Sequence, residues 1–375
     1  MEASFIPVSE PDLGGNEKQY VLECLETGWI SSEGPFVKRF EESFAAQCGR
    51  KHGVAVSNGT AALITAIRAL DLSPGDEVIL PAFTIISCAL AVLASGLTPV
   101  FVDVEAETWN IDPARIEEKI TPRTKAILVV HIYGLPAEMN AIMEIAERHG
   151  LYVVEDAAEA HGQTYYGKPC GSFGAISVFS FYANKLVTTG EGGMILTDSE
   201  DLAGRCRSLC NLCFQRNRRF VHEEAGYNFR LTNIQAAIGV AQLERLGEFA
   251  RRKRAMGTLY ARLLADTPGL EHPPKSIPSA SNIYWVYGVV LSDKVPFDAP
   301  EMMDRLKHRG IGTRPFFRGL HEQPVFQKME FFRPERHPVT ERISRRGFYL
   351  PGGLTLTEAQ QHQVSAAVKE ALHQT

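Results

Sequence analysis

The chain has no run approaching the ~20 uninterrupted apolar residues that a helix needs to cross a bilayer. Its opening stretch, MEASFIPVSEPDLGGNEKQY, lacks the cationic-then-apolar order of a secretory leader. Surplus positive charge is missing too. The 39 Lys and Arg stand against 44 Asp and Glu, and a net charge of −5 offers no general attraction to nucleic acid or anionic membranes. Cysteine is sparse: seven residues, an odd number scattered over 375, argue for reduced thiols rather than a disulfide framework. There is no internal repeat, no low-complexity tract, and no G-x-G-x-x-G following a strand, which argues against a Rossmann oxidoreductase. The expectation is a cytoplasmic enzyme with no nucleic-acid or membrane partner.

Three of the cysteines are close together. Cys206, Cys210 and Cys213 have the C-x3-C-x2-C spacing of radical iron–sulfur enzymes. The plain alternative is three small, soft residues packed at one helix end, because Asp198 or Ser199 caps a helix running into them. No metal site is expected.

From Val54 to Leu196 short apolar runs alternate with amphipathic segments. The runs are VAVS, EVILP, PVFVDV, AILVVHIYG, LYVVEDAA, ISVFSF and GMILT; Thr60–Leu70, Ile85–Ala94 and Ala137–His149 read as helices between them. That alternation predicts βαβ units and a largely parallel sheet covered by helices on both faces. Leu231–Leu264 reads as one long helical stretch. Tyr284–Leu291 reads as a strand, Ala299–Arg309 and Thr357–Leu372 as helices, and the Pro/Ser-rich Glu271–Ser281 as a loop. The expected division is a large α/β domain over 1–250 and a smaller α+β domain over 251–375.

In parallel sheets ligands collect at the carboxyl ends of strands, and three such ends here carry polar groups. In AVSNGTAAL a strand passes through Asn58-Gly59-Thr60 straight into a helix, which is either an anion cradle or simply a well-capped helix. In LYVVEDAAEAHG, Asp156 ends a buried run and needs a cationic or hydrogen-bonding partner. A metal site of Glu155, Asp156, Glu159 and His161 is weakened because alternate strand residues point to opposite faces. In FSFYANKLVTTGEGG, Ser180 offers a hydroxyl at a strand end and Lys185 an amine between an apolar run and a glycine turn. Lysine is seldom buried without a partner. An anion cradle, a buried carboxylate and a buried amine on one sheet rim are what pyridoxal phosphate requires: a seat for its phosphate, an acid for its pyridine nitrogen, a lysine to hold its aldehyde as an imine.

The stretches VSNGTAAL, EDAAEAHG, FSFYANKLVTTGEGGM and GYNFRLTNIQAAIGVAQLER resemble the motifs of the DegT/DnrJ/EryC1/StrS sugar aminotransferases, nearly end to end and in order. The resemblance implies a fold-type-I pyridoxal 5'-phosphate transferase that takes an amino group from L-glutamate. The motifs look most like those of members that aminate C4 of GDP-4-keto-6-deoxymannose for O-antigen, glycan or natural-product sugars. A dTDP- or UDP-linked ketosugar, or a dehydratase or lyase of the same fold, stays open. Related 3-dehydratases carry histidine where this chain has Lys185.

Carried over by position, the resemblance makes Lys185 the imine-forming and proton-moving residue. It puts Asp156 on the pyridinium nitrogen, Glu159 near the ring, and Gly59, Thr60 and Ser180 on the phosphate. Ile85 stands where many relatives have an aromatic over the ring. Asn228 is implied to reach the phosphate of a neighbouring subunit, making a homodimer with shared sites. Trp29, Ser31 and Ser32 are implied to line the sugar pocket. Arg230 and the run Arg216, Arg218 and Arg219 are candidates for the nucleotide diphosphate, with a solvated loop as the alternative. Arg314 and His321 are candidates where the small domain closes.

Overall fold

A computed structural model describes residues 5–215 and 217–373. Seven strands form the main sheet: β1 His52–Val56, β2 Glu77–Pro81, β3 Thr98–Val102, β4 Thr124–Val130, β5 Tyr152–Asp156, β6 Ile176–Ser180 and β7 Gly193–Thr197. Their order is β1-β7-β6-β5-β4-β2-β3. The β6-β5, β5-β4, β4-β2 and β2-β3 pairs are parallel, while β7 runs antiparallel to both β1 and β6. So β1, β5 and β6 end on the same edge, although Gly59 and Ser180 are over a hundred residues apart. The central strands are buried along nearly their whole length, as a sheet covered on both faces must be.

Local chemistry sets the helix starts. Asn58 caps the helix Gly59–Ala69 (α1), its side chain accepting from the Ala61 amide at 2.8 Å. Ser199 caps Glu200–Cys210 (α2). Thr232 and Gln235 form a reciprocal capping box at the start of Asn233–Glu244 (α3).

The long stretch expected from Leu231 to Leu264 is two helices. α3 ends at Glu244 and α4 spans Leu246–Leu264, with Arg245 non-helical between them. The corner is held by the Arg245 guanidinium, which meets Asp12 at 2.8 Å and Glu248 at 2.9 Å. Apolar periodicity runs through the corner, so the pattern alone reads as continuous.

Along α4 the buried side chains change company. Leu246, Phe249 and Ala250 pack with Phe40, Phe44 and Phe181 of the large core. Met256, Tyr260 and Leu264 pack around a four-stranded sheet of Leu270–Glu271 (β8), Tyr287–Leu291 (β9), Arg314–Pro315 (β10) and Gly347–Leu350 (β11), ordered β8-β9-β11-β10. Ile6 is buried in that second core and bridges Ile311, so the N-terminal segment packs with the C-terminal part of the chain. Glu271–Ser281, expected as a plain loop, begins at β8 and carries a two-stranded pairing of Ser276–Ile277 with Ala280–Ser281. The three clustered cysteines are buried in the main core beside Leu63, Ile67 and Leu209. Among the described residues the one grouping of three potential metal-ligand atoms is His131, Glu155 and Cys170, so the thiols of 206, 210 and 213 do not converge on an ion.

Candidate active site

The edge where β1, β5 and β6 end opens into a cavity of about 780 Å³ lined by Gly59, Thr60, Asp156, Glu159, Ser180 and Lys185, among others. At Gly59 the backbone comes so close to β6 that an added Cβ would sit 2.8 Å from Ser180 Cβ. On the next strand, a Cβ on Gly193 would meet the Asn58 carbonyl at 2.5 Å. These two glycines allow the start of α1 to lie against the sheet with its first amides facing the cavity. The Thr60 hydroxyl is 3.0 Å from that of Ser87, which opens the helix Ser87–Ala94.

Asp156 ends β5 and is 3% exposed. One carboxylate oxygen accepts the Ala158 amide at 3.1 Å and the other the Cys88 thiol at 3.4 Å. Burial raises its pKa; the Ala158 amide and the Lys185 charge work against that rise. A carboxylate so placed is short of positive partners and fits a protonated ring nitrogen. Glu155, one residue earlier, faces the other side of the sheet, binding His131 at 2.8 Å and the amides of Gly171 and Phe173 at 2.6 and 2.8 Å. The alternation expected of a strand therefore separates the two acids.

Lys185 follows β6 in a turn closed by its amide on the Tyr182 carbonyl at 2.8 Å. Its Nζ is 3.6 Å from a Glu159 oxygen and 3.9 Å from the centroid of the Trp285 ring. Trp285 in turn donates its indole N–H to the Asn184 carbonyl at 2.9 Å. Glu159 accepts the Tyr133 amide at 2.7 Å through its second oxygen. Burial pushes its pKa up to about 7, against the pull of Lys185. Among the described residues Lys185 is the one cationic side chain that lines the cavity. The donor set fits pyridoxal phosphate: a close-approach cradle, an under-compensated buried acid, and one amine between them.

The pattern of the DegT/DnrJ/EryC1/StrS aminotransferase family matches residues 11–369. The chain belongs to this family. It is 44% identical to GDP-perosamine synthase of Caulobacter vibrioides over 368 residues, covering 98% of each chain. It is 40% identical to the enzyme of that name from Escherichia coli O157:H7, again over 98% of both. Among solved structures, DesV of S. venezuelae, crystallised with a ketimine intermediate, superposes with a TM-score of 0.91 at 35% identity over the full length of both chains. The protein is a sugar aminotransferase of the mixed α/β fold expected, and pyridoxal phosphate is its cofactor. No described helix is long and apolar enough to cross a membrane.

The remaining predicted residues fall in three places. Ile85 lines the cavity mouth and is 41% exposed. Trp29, Ser31, Ser32, Arg219 and Arg230 come together in a separate open cleft of about 980 Å³, which shares no lining residue with the first. Arg230 there donates to Asn211 at 2.7 Å, and the Arg219 guanidinium lies 5.2 Å from the Phe214 ring. Arg218 pairs with Glu223 at the surface, and Arg216 lies outside the described residues. Asn228 is exposed and does not line the cavity, although its neighbour Phe229 does. Arg314 lines a cleft of about 830 Å³ that adjoins the cavity through Tyr182, Asn184, Trp285 and Tyr349. His321 is buried against His337, away from the cavity lining.

Sequence reading missed Trp285, Cys88 and Ser87. Trp285 is a hundred residues from Lys185 and no local pattern links them. Ser87 and Cys88 sit in IISCAL, where a serine at a helix start reads as an ordinary N-terminal residue.

Proposed function

We propose that this chain transfers the amino group of L-glutamate to C4 of GDP-4-keto-6-deoxymannose, giving GDP-perosamine. The observation carrying the reaction class is the single amine, Lys185, 3.6 Å from Glu159 in a cavity that also holds buried Asp156. The sugar assignment is supported by relatives named GDP-perosamine synthase that align end to end.

In this reading Gly59, Thr60 and Ser180 hold the cofactor phosphate, Asp156 its ring nitrogen, and Lys185 its aldehyde carbon. When bound, the cofactor supplies a ring that accepts the electron pair left as a C–H bond beside the amine breaks. The free Lys185 amine would take the α-proton of glutamate at Nζ and later return a proton to sugar C4. Glu159, with a pKa near neutrality, holds that ammonium by charge and helps it release the proton again. Asp156 would face the ring nitrogen, and Ile85, Trp285 and Tyr349 line the same cavity, where they would shield the reacting atoms from water. Retention of Lys185 favours transfer over dehydration. Two half-reactions on one amine give ping-pong kinetics.

The adjoining cleft suits the nucleotide tail, since it carries Arg314 and Lys307 beside the exposed ring of Phe5. The working unit in this reading is a homodimer. Among the described residues no arginine lines the cavity, Asn228 is exposed outside it, and Leu22, Leu25, Trp29 and Ile30 leave apolar surface uncovered. We divide the chain near residue 250, where α4 changes cores. We place the protein in the cytoplasm, in keeping with seven free cysteines.

The test is incubation with L-glutamate and GDP-, dTDP- and UDP-linked ketosugars, with products weighed by mass spectrometry. Conversion of GDP-4-keto-6-deoxymannose to its aminosugar is expected. Conversion of a dTDP- or UDP-sugar alone would overturn the substrate, and release of ammonia without a stable aminosugar would overturn the reaction class.

A further inference from the structure

His161 lies five residues past Asp156 on the segment that leaves β5, and it is 2% exposed. No step of the proposed chemistry uses it. Its ring is boxed by Phe44, Phe179 and Phe181, with centroids 6.0, 5.4 and 5.6 Å away and all three contacts edge-on. A phenyl ring would serve such a box better than an imidazole, since burying an unpaired polar nitrogen carries a cost.

The polar atoms of the ring explain its presence. Nδ1 accepts the backbone N–H of Val187 at 3.2 Å. That amide is buried and lies two residues beyond Lys185, so without the imidazole it would be left unpaired. The acceptor role fixes the tautomer, with the proton on Nε2. Nε2 has no partner in hydrogen-bond geometry, and it faces the Ser180 backbone at the other end of the same loop. The imidazole thus spans the loop that carries Lys185, touching its exit through one nitrogen and facing its entry with the other. It also joins the segment bearing Asp156 and Glu159 to the segment bearing the amine. Burial drives its pKa down to about 3, so the ring is neutral and remains an acceptor at any working pH.

We infer that His161 is a positioning residue for Lys185: by pairing the Val187 amide it sets the loop so that Nζ reaches the cavity between Glu159 and Trp285. The inference rests on Lys185 being the amine that holds the cofactor aldehyde. It predicts that what matters is an acceptor at the δ position, and asparagine is the side chain that places an oxygen there. Glutamine keeps polarity but sets its amide one bond further out; phenylalanine keeps the ring and the packing.

The experiment compares His161→Asn, His161→Gln and His161→Phe with the parent, as full-length chains. Pyridoxal phosphate affinity is read by absorbance titration, cofactor attachment to the Lys185 peptide by borohydride reduction and peptide mapping, and folding by thermal unfolding without cofactor. The Asn variant is expected within about threefold of the parent in affinity. The Gln and Phe variants should bind about tenfold more weakly, the range for leaving a buried amide unpaired, with slower labelling of Lys185 at saturating cofactor. Phe and Asn variants that match the parent alike would overturn the inference, as would Asn and Gln variants equally impaired while cofactor-free unfolding is unchanged. If the Phe variant does not fold, the Asn and Gln pair decides by the same criterion. An unlabelled Lys185 in the parent overturns the functional reading itself, whereas a labelled parent with indifferent variants overturns only the role of His161.

Discussion

The cavity around Lys185 and the cleft around Trp29 are built from opposite materials. In the cavity Asp156 and Glu159 are buried, Lys185 is 3.6 Å from Glu159, and the two acids are aimed by the backbone amides of Ala158 and Tyr133 and by the Cys88 thiol. In the cleft Trp29 is 52% exposed, and Arg230 and Arg207 are already engaged by Asn211 and Glu41 of the same chain. A buried charge must be answered by its surroundings, and a cavity short of compensation is primed for a charged ligand. Exposed arginines with partners of their own gain little more from a ligand in water. The first pocket is therefore read as the seat of the chemistry, and the second is the face that we propose a second subunit completes.

Substitutions can break or sharpen that contrast. Lys185→Ala should lower aminosugar formation by about a thousandfold or more, the scale of a lost general acid–base group, while noncovalent cofactor binding persists in absorbance titration. Full activity would remove the reason for ranking the cavity first. Asp156→Asn keeps the shape and deletes the charge; the expected cost of breaking a buried pair is about 3 kcal/mol, or roughly a hundredfold in kcat.

Glu159 offers a test by pH. Its folded pKa of about 7 lies above its ordinary value of 4.5, so between these limits the folded chain holds a proton that the unfolded chain has lost. Stability from this group is thus complete below about pH 4.5 and falls as pH rises to about 7, by at most about 3 kcal/mol. Denaturant unfolding of the cofactor-free protein across that window should show the decline, and Glu159→Gln should flatten it. A difference curve of the opposite sign would mean that Glu159 is stabilised as a carboxylate by Lys185.

Gly59→Ala drives a methyl into Ser180, and about a tenfold loss of cofactor affinity is expected in the same titration. The smallest effect belongs to the other pocket. Arg219→Ala should leave kcat/KM within about threefold, because an exposed cation over Phe214 contributes little. A loss on the scale of Asp156→Asn would merge the two pockets into one site.

Much of this was legible along the chain. Apolar runs separated by helical segments specify a parallel sheet because a strand buried on both faces must be apolar throughout, and each strand emerged within a few residues of its run. Asn58-Gly59, Asp156 and Lys185 could be read as a set because parallel topology sends strand ends to one edge. The corner at Arg245 was not legible, since it depends on Asp12, more than two hundred residues away, while the apolar spacing runs through it unbroken. Nor was the company of Lys185: Trp285 beneath the amine and His161 beside its loop become neighbours only once separate segments of the chain have packed together. The residues and their order determined which chemical groups the protein owns and which edge of the sheet they share. Tertiary packing decided how far apart those groups stand and how much water reaches them, because distance and burial arise between segments and no single segment carries them.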